Sequence, residues 1–166
     1  GLFYPLIFIP IGIMGATFTF NFLAGYNGLE AGQGILVLSA FGIIAYLTGS
    51  AWLSVIALIM IASLAAFMFY NFYPAKVFPG DSLTYSVGGL LAIMAILGNF
   101  EKIAVFFFIP YILETVLKLR GKLAKQSFGR LNVNGELDLR YNKIYGLEHL
   151  AIVVLKKIGI KSNERN

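Results

Sequence analysis

The feature that most limits what this chain can fold into is a succession of long apolar runs. Leu2–Leu23, Ala31–Thr48, Ala51–Tyr70, Leu83–Leu97 and Lys102–Leu119 are each ended by Gly, Asn, Pro or charge. Each approaches the roughly 20 residues with which a helix crosses a hydrocarbon core of about 30 Å. Composition agrees, with 58% of the 166 residues hydrophobic, 13% charged and a mean hydropathy of +0.80. An apolar excess of that size cannot be hidden in one core of this length, so a bilayer has to serve as solvent. The expected fold class is an all-α integral membrane protein with about five transmembrane helices, cytoplasmic catalytic loops and an amphipathic tail helix. The second and fourth runs are short and are expected to borrow flanking residues.

Pro5, Pro10 and Pro110 fall inside apolar runs and predict kinks, tolerated where neighbours satisfy the freed carbonyls. Gly88-Gly89 predicts close helix approach in the fourth span. Alternating crossings put Ala24–Glu30, Asn71–Ser82 and the tail after Arg120 on one side of the membrane. Of the basic residues only Lys102 falls on the other side, which makes the first side cytoplasmic. Two regions follow: 1–123, transmembrane with loops 24–33 and 71–82, and 124–166, a cytoplasmic loop and surface helix. Asn134-Gly135 is a candidate turn. Leu147–Ile160 is amphipathic and is expected to lie along the membrane surface, with Lys161–Asn166 a frayed end. The chain begins with Gly1 and not Met, with no basic segment before the first run, so that run reads as a span and the chain as a piece of a longer protein. With no cysteine there is no thiolate nucleophile or disulfide framework. The net charge of +5 is assigned to orientation and anionic lipid, not to nucleic acid.

The chemistry is expected in the cytoplasmic loops, which are rich in glycine and side-chain oxygens. Asn21 ends an apolar span, where an unpaired carboxamide is costly and so faces a partner, a cavity or a ligand. The glycines after it allow φ > 0 and backbone access to a ligand. On these residues alone an ordinary helix end with an Asn-Gly turn is the more economical account. In 71–82 the one carboxylate, Asp81, stands immediately before an apolar span. It reads equally as an N-cap beside Ser82 and as a hard oxygen ligand for Mg²⁺.

Taken together the two loops say more. Leu23-Ala24-Gly25-x-Asn27-Gly28-Leu29-Glu30-Ala31-Gly32-Gln33 closely resembles a loop of the dolichyl-phosphate N-acetylglucosamine-phosphate transferases. Pro74-Ala75-Lys76-Val77-Phe78-x-Gly80-Asp81 resembles their next cytoplasmic loop, and Arg130-Leu131-Asn132 with Gly135 and Leu137 resembles the segment after their sugar-recognition motif. The resemblance implies transfer of N-acetylglucosamine-1-phosphate from UDP-N-acetylglucosamine to a polyprenyl phosphate. It implies Asn21 and Asp81 as catalytic Mg²⁺ ligands (Mn²⁺ as a substitute) and Asn27 and Phe78 as holders of the uracil. Gly25 and Gly28 would give backbone access, and Glu30, Lys125 and Arg130 would join them in substrate binding. The membrane implied is a prokaryotic plasma membrane of archaeal type or the endoplasmic reticulum; whether the molecule forms a homodimer is left open.

Two departures from the family pattern stand out. Its sugar-recognition motif carries a His flanked by Arg, where this chain has Lys125-Gln126-Ser127-Phe128-Gly129-Arg130; its acidic pair near the membrane surface has no counterpart in the sequence. The chain therefore reads as a C-terminal half that is inactive until an N-terminal half is supplied. His149, the one histidine, is expected to pack at the surface, and Glu114 to pair with Lys118 one turn later. Lys76 divides evenly between a phosphate contact and an orientation signal. The competing readings are an undecaprenyl-phosphate or muramoyl-pentapeptide transferase and, from another class, a transporter or channel subunit, which would spread polar residues through the midplane.

Overall fold

A computed structural model describes residues 1–133 and 135–163. Four helices are long and apolar enough to cross a membrane. The first runs over Tyr4–Phe22: a widened turn, Tyr4–Phe8, leads into α1, Ile9–Phe22. In that turn Ile9 N–H reaches five residues back to the Tyr4 carbonyl, just before Pro10 removes a donor from the ladder. α2 is Leu29–Leu47, α3 Ala51–Asn71 and α4 Gly80–Leu97. Large apolar side chains such as Leu36 and Phe69 point outward, 73% and 88% exposed, as lipid-facing residues must. This is a multi-pass membrane protein.

The fifth apolar run is interrupted next to Pro110, where the sequence predicts a kink. Lys102–Leu119 does not form one helix but contributes to two, α5, Glu101–Phe107, and α6, Ile109–Arg120. Pro110 has no N–H to return to the Phe106 carbonyl, and Phe108 N–H is shared between the carbonyls of Ala104 (3.0 Å) and Val105 (3.1 Å). Neither piece has the length of a span.

The chain divides into two compact units, Gly1–Ile109 and Pro110–Asn166. In the first, α1 packs on α4, and α2 packs on α3 and touches α4. Small residues make this approach close, as lipid-embedded helices require when apolar burial supplies no drive. A Cβ on Gly88 would lie 2.8 Å from the Ala16 carbonyl oxygen and 2.9 Å from Thr17 Cα, so only glycine fits where α4 crosses α1. On the other pair, Ser54 Oγ donates to the Gly42 carbonyl at 2.7 Å. Phe20, Leu38, Phe41, Leu91 and Met94 fill the core completely buried.

In the second unit α6 is followed by a two-strand antiparallel ribbon, β1 (Arg130–Leu131) and β2 (Leu137–Asp138), with Arg130 opposite Asp138, and then by α7, Leu147–Lys157. The candidate turn at Asn134-Gly135 includes Asn134, which lies outside the described residues. A buried carboxylate organises the unit. Glu114 accepts hydrogen bonds from Ser127 Oγ (3.0 Å) and Leu147 N–H (2.6 Å), and Lys118 Nζ is 3.8 Å away, the pairing expected from the sequence.

His149 corrects the expectation of surface packing. It is completely buried, with Nδ1 accepting from Tyr145 N–H at 3.2 Å and Nε2 3.4 Å from the Phe128 carbonyl. Glu148, His149 and Ile152 form the inward face of α7, and Leu150, Val154 and Ile158 are left outward. Residues 161–163 are not frayed. Ser162 is buried, its carbonyl accepts from Leu137 N–H (2.6 Å) and its Oγ donates to the Leu137 carbonyl (2.7 Å).

Candidate functional site

At one end of the first unit two loops meet, 23–28 joining α1 to α2 and 72–79 joining α3 to α4. The first is closed by its own backbone and by side chains of α2. Gly25, at φ +128°, donates its N–H to Glu30 Oε1 at 2.8 Å, and Gln33 Nε2 donates to the Leu23 carbonyl at 2.6 Å. Leu29 N–H returns to the Tyr26 carbonyl at 3.0 Å around the Asn27-Gly28 turn, with Gly28 in the left-handed region at φ +79°. Gly28 thereby starts α2, so the turn and the loop expected to meet a ligand are one structure.

The second loop folds back on the helix it leaves, with Lys76 and Val77 N–H both donating to the Tyr70 carbonyl at 2.8 and 3.2 Å. Phe72 lies against Gly28, where an added Cβ would come within 3.4 Å of its ring. Phe78 stands 69% exposed, free to present a ring face. α4 then opens with Gly80, and Asp81 sits inside its first turn, solvent-exposed. The residue before the helix is Pro79, and no side chain caps the end. The N-cap reading of Asp81 is therefore set aside, and its carboxylate is open to other partners.

Asn21 and Asp81 are brought to the same end of the packed α1 and α4 pair. The link is Thr84, one turn beyond Asp81 and 2% exposed, whose Oγ donates to Asn21 Oδ1 at 2.8 Å. The carboxamide of Asn21 is thus directed at the opening turn of α4. Sequence reasoning missed Thr84, and it also missed Asn71. That asparagine is completely buried at the end of α3, where it accepts from Gly28 N–H at 3.0 Å and donates Nδ2–H to the Val77 carbonyl at 2.9 Å. The signal that singled out Asn21, a carboxamide ending an apolar run, applies to Asn71 equally.

Glu30 is buried, with Oε1 on Gly25 and Oε2 enclosed without a protein hydrogen-bond partner. Asn27 is partly buried in the first loop. Lys125 and Arg130 belong to the second unit. Lys125 Nζ lies 5.0 Å above the Tyr141 ring and joins Arg140, Tyr141, Asn142, Lys143 and Tyr145 around an open cavity of about 390 Å³. Arg130 is exposed on β1. Among the described residues no group of three or more His, Cys, Asp or Glu side chains could by itself cage a metal.

Residues 1–99 match the family described as Glycosyl transferase family 4. A protein of Saccharolobus solfataricus named as a UDP-N-acetylglucosamine–dolichyl-phosphate N-acetylglucosaminephosphotransferase is 41% identical over 92% of this chain and 48% of its own length. A Bacillus subtilis protein named as an undecaprenyl-phosphate N-acetylglucosaminyl 1-phosphate transferase is 35% identical over 94% of this chain and 45% of its own. A phospho-N-acetylmuramoyl-pentapeptide-transferase of Clostridium perfringens is 34% identical over 74% and 41% respectively. The chain thus spans about half the length of the curated relatives it matches.

Proposed function

Because the chain belongs to glycosyl transferase family 4, we propose that it forms the nucleotide and metal end of an enzyme that transfers N-acetylglucosamine-1-phosphate from UDP-N-acetylglucosamine to a polyprenyl phosphate of dolichyl type. A phosphate oxygen of the acceptor attacks the sugar-bearing phosphorus; a new P–O bond forms, the bond to the bridging oxygen breaks, and UMP departs with its electron pair. The product is a lipid-linked sugar diphosphate. The observation that carries this reading is the convergence of Asn21 with the first turn of α4 through Thr84, beside the glycine-bearing 23–28 loop and the 72–79 loop, which Asn71 joins by hydrogen bonds.

The donor set fits Mg²⁺. That ion takes one or two carboxylates, keeps several waters and completes its shell with substrate phosphates, so a lone Asp81 with the Asn21 amide oxygen suits it better than a closed protein cage would. Bound there it would neutralise charge on the pyrophosphate as UMP leaves. Asn21 and Asp81 would hold it, while Thr84 orients Asn21. The exposed ring of Phe78 would stack on the uracil, Asn27 would read its edge, and the Gly25 and Gly28 backbone would lie close beneath the nucleotide. Positioning supplies much of the rate in phosphoryl transfer, which suits a site built from fixed loops.

A transport or channel role is less well supported, because the buried polar groups of the first unit, Glu30, Asn71 and Thr84, all lie at the helix ends that carry these loops. The undecaprenyl reading is kept as a second one on the Bacillus relative, and the muramoyl-pentapeptide reading on the Clostridium relative. Activity is proposed to need further chain beyond these residues, on the half-length coverage and the missing acidic pair. The test is Asp81→Asn in the intact enzyme, with transfer from labelled UDP-sugars to dolichyl and undecaprenyl phosphates measured as Mg²⁺ is varied. A fall of about 100-fold or more is expected, in the range for losing a principal electrostatic group. Unchanged turnover would remove the metal assignment, and preference among the sugars and lipids selects donor and acceptor.

A further inference from the structure

The loops expected to hold the donor nucleotide each run between the two packed helix pairs, 23–28 from α1 to α2 and 72–79 from α3 to α4, and a side chain that reaches both helps to set their separation. The side chain of Asn71 does so. It is completely enclosed, and both ends of its carboxamide are engaged with backbone. Oδ1 takes the N–H of Gly28, 43 residues earlier in the chain, and Nδ2 gives its proton to the carbonyl of Val77, next to Phe78. Gly28 in turn stands next to Asn27. One planar group about 2.3 Å across its donor and acceptor atoms therefore sets the spacing between the residue proposed to read the base edge and the ring proposed to stack on it.

We infer that Asn71 is a positioning residue for nucleotide recognition, a staple that holds the 23–28 and 72–79 loops at the separation a pyrimidine base requires. It acts through its neighbours: with both polar ends engaged and no exposed surface, its amide is spent on the loops. The Phe72 ring also lies against Gly28, an apolar contact that sets no register by itself. The inference rests on the proposed function, since a staple for nucleotide recognition needs a nucleotide to recognise.

The two ends of the amide can be severed separately. Asn71→Asp keeps an acceptor for Gly28 and loses the donor to Val77, whereas Asn71→Ala loses both. In the intact enzyme, KM for the UDP-sugar is expected to rise by about tenfold in Asn71→Asp and further in Asn71→Ala, as one and then two buried hydrogen bonds are lost. KM for the polyprenyl phosphate should stay within about twofold, and discrimination against a donor carrying another base should fall in the same order. Melting of each variant in detergent is followed alongside. Equal loss toward both substrates, an unchanged KM for the nucleotide sugar, or failure of both variants to fold would overturn the inference, because Asn71 would then serve the fold in general. If the unaltered enzyme makes no use of UDP-sugars, it is the proposed function that fails, and the staple with it.

Discussion

Thr84 has one hydroxyl proton and three oxygens within reach, and distance decides between them. Asn21 Oδ1 is 2.8 Å away, while the carbonyls of Asp81 and Gly80 are at 3.3 and 3.4 Å. The proton therefore goes to Asn21, across to another helix. Thr84→Val keeps the volume and removes the donor, leaving the Asn21 amide free to rotate away from the proposed metal position. The expected cost in folding stability is about 1 kcal/mol. The informative readout is the Mg²⁺ concentration for half-maximal transfer, which should rise several-fold, and an unshifted metal midpoint would show that Thr84 does not orient Asn21. Asn21 and Asp81 were visible in the sequence as candidates because each puts side-chain oxygen at the edge of an apolar run, where a reason is demanded. Thr84 was not. A threonine inside a helix ordinarily returns its proton to the carbonyl one turn back, as Thr17 and Thr115 do here at 2.7 and 2.8 Å, and only the neighbouring helix distinguishes the exception.

Helices were legible for a simpler reason, since uncharged length is visible in the sequence. What it hid was continuity and orientation. The fifth apolar run reads as continuous in hydropathy, yet it is divided at Phe108, next to Pro110, a matter of donor bookkeeping and not of hydropathy. In α7 the apolar residues follow the expected period, but the inward face is instead built on Glu148, His149 and Ile152, because Tyr145 N–H and the Phe128 carbonyl engage the imidazole inside the unit. Gly88-Gly89 shows how far pattern reading goes. Both glycines suggest close approach, but only the first is pressed against backbone; a Cβ on Gly89 would meet nothing nearer than Thr17 Oγ1 at 3.5 Å. Gly88→Ala is thus expected to destabilise the α1 and α4 pair by about 1–3 kcal/mol, and Gly89→Ala to be close to neutral. Thermal unfolding of the two variants in one detergent separates them, and equal melting temperatures would contradict the packing described for α4.

For the molecule as a membrane object, the decisive question is which side of the bilayer the paired loops face. Consecutive helices alternate direction, and the 19 residues of α2 at about 1.5 Å each separate Gly28 from Thr48 by about 30 Å, the thickness of a hydrocarbon core. The hydrogen bonds from Gly28 to Asn71 and from Thr84 to Asn21 hold both loops at the same end, so the turns at 48–50 and 98–99 belong to the other. The first end carries Lys76 and the other end Lys102, so within the first unit the basic residues balance, and the proposed cytoplasmic placing of the first end is what labelling has to decide. These 166 residues contain no cysteine, so within them a single introduced thiol reports its own side. Lys76→Cys, Thr48→Cys and Leu97→Cys all place the thiol at exposed positions. A membrane-impermeant maleimide should reach Lys76→Cys only from the cytoplasmic face and the other two only from outside, in sealed vesicles of each orientation. Labelling of all three from one face would mean that α2, α3 and α4 do not cross the bilayer. Labelling of Lys76→Cys from outside would separate the loops from the cytoplasmic pool of nucleotide sugars, and a transferase of the proposed kind could not then draw on that pool.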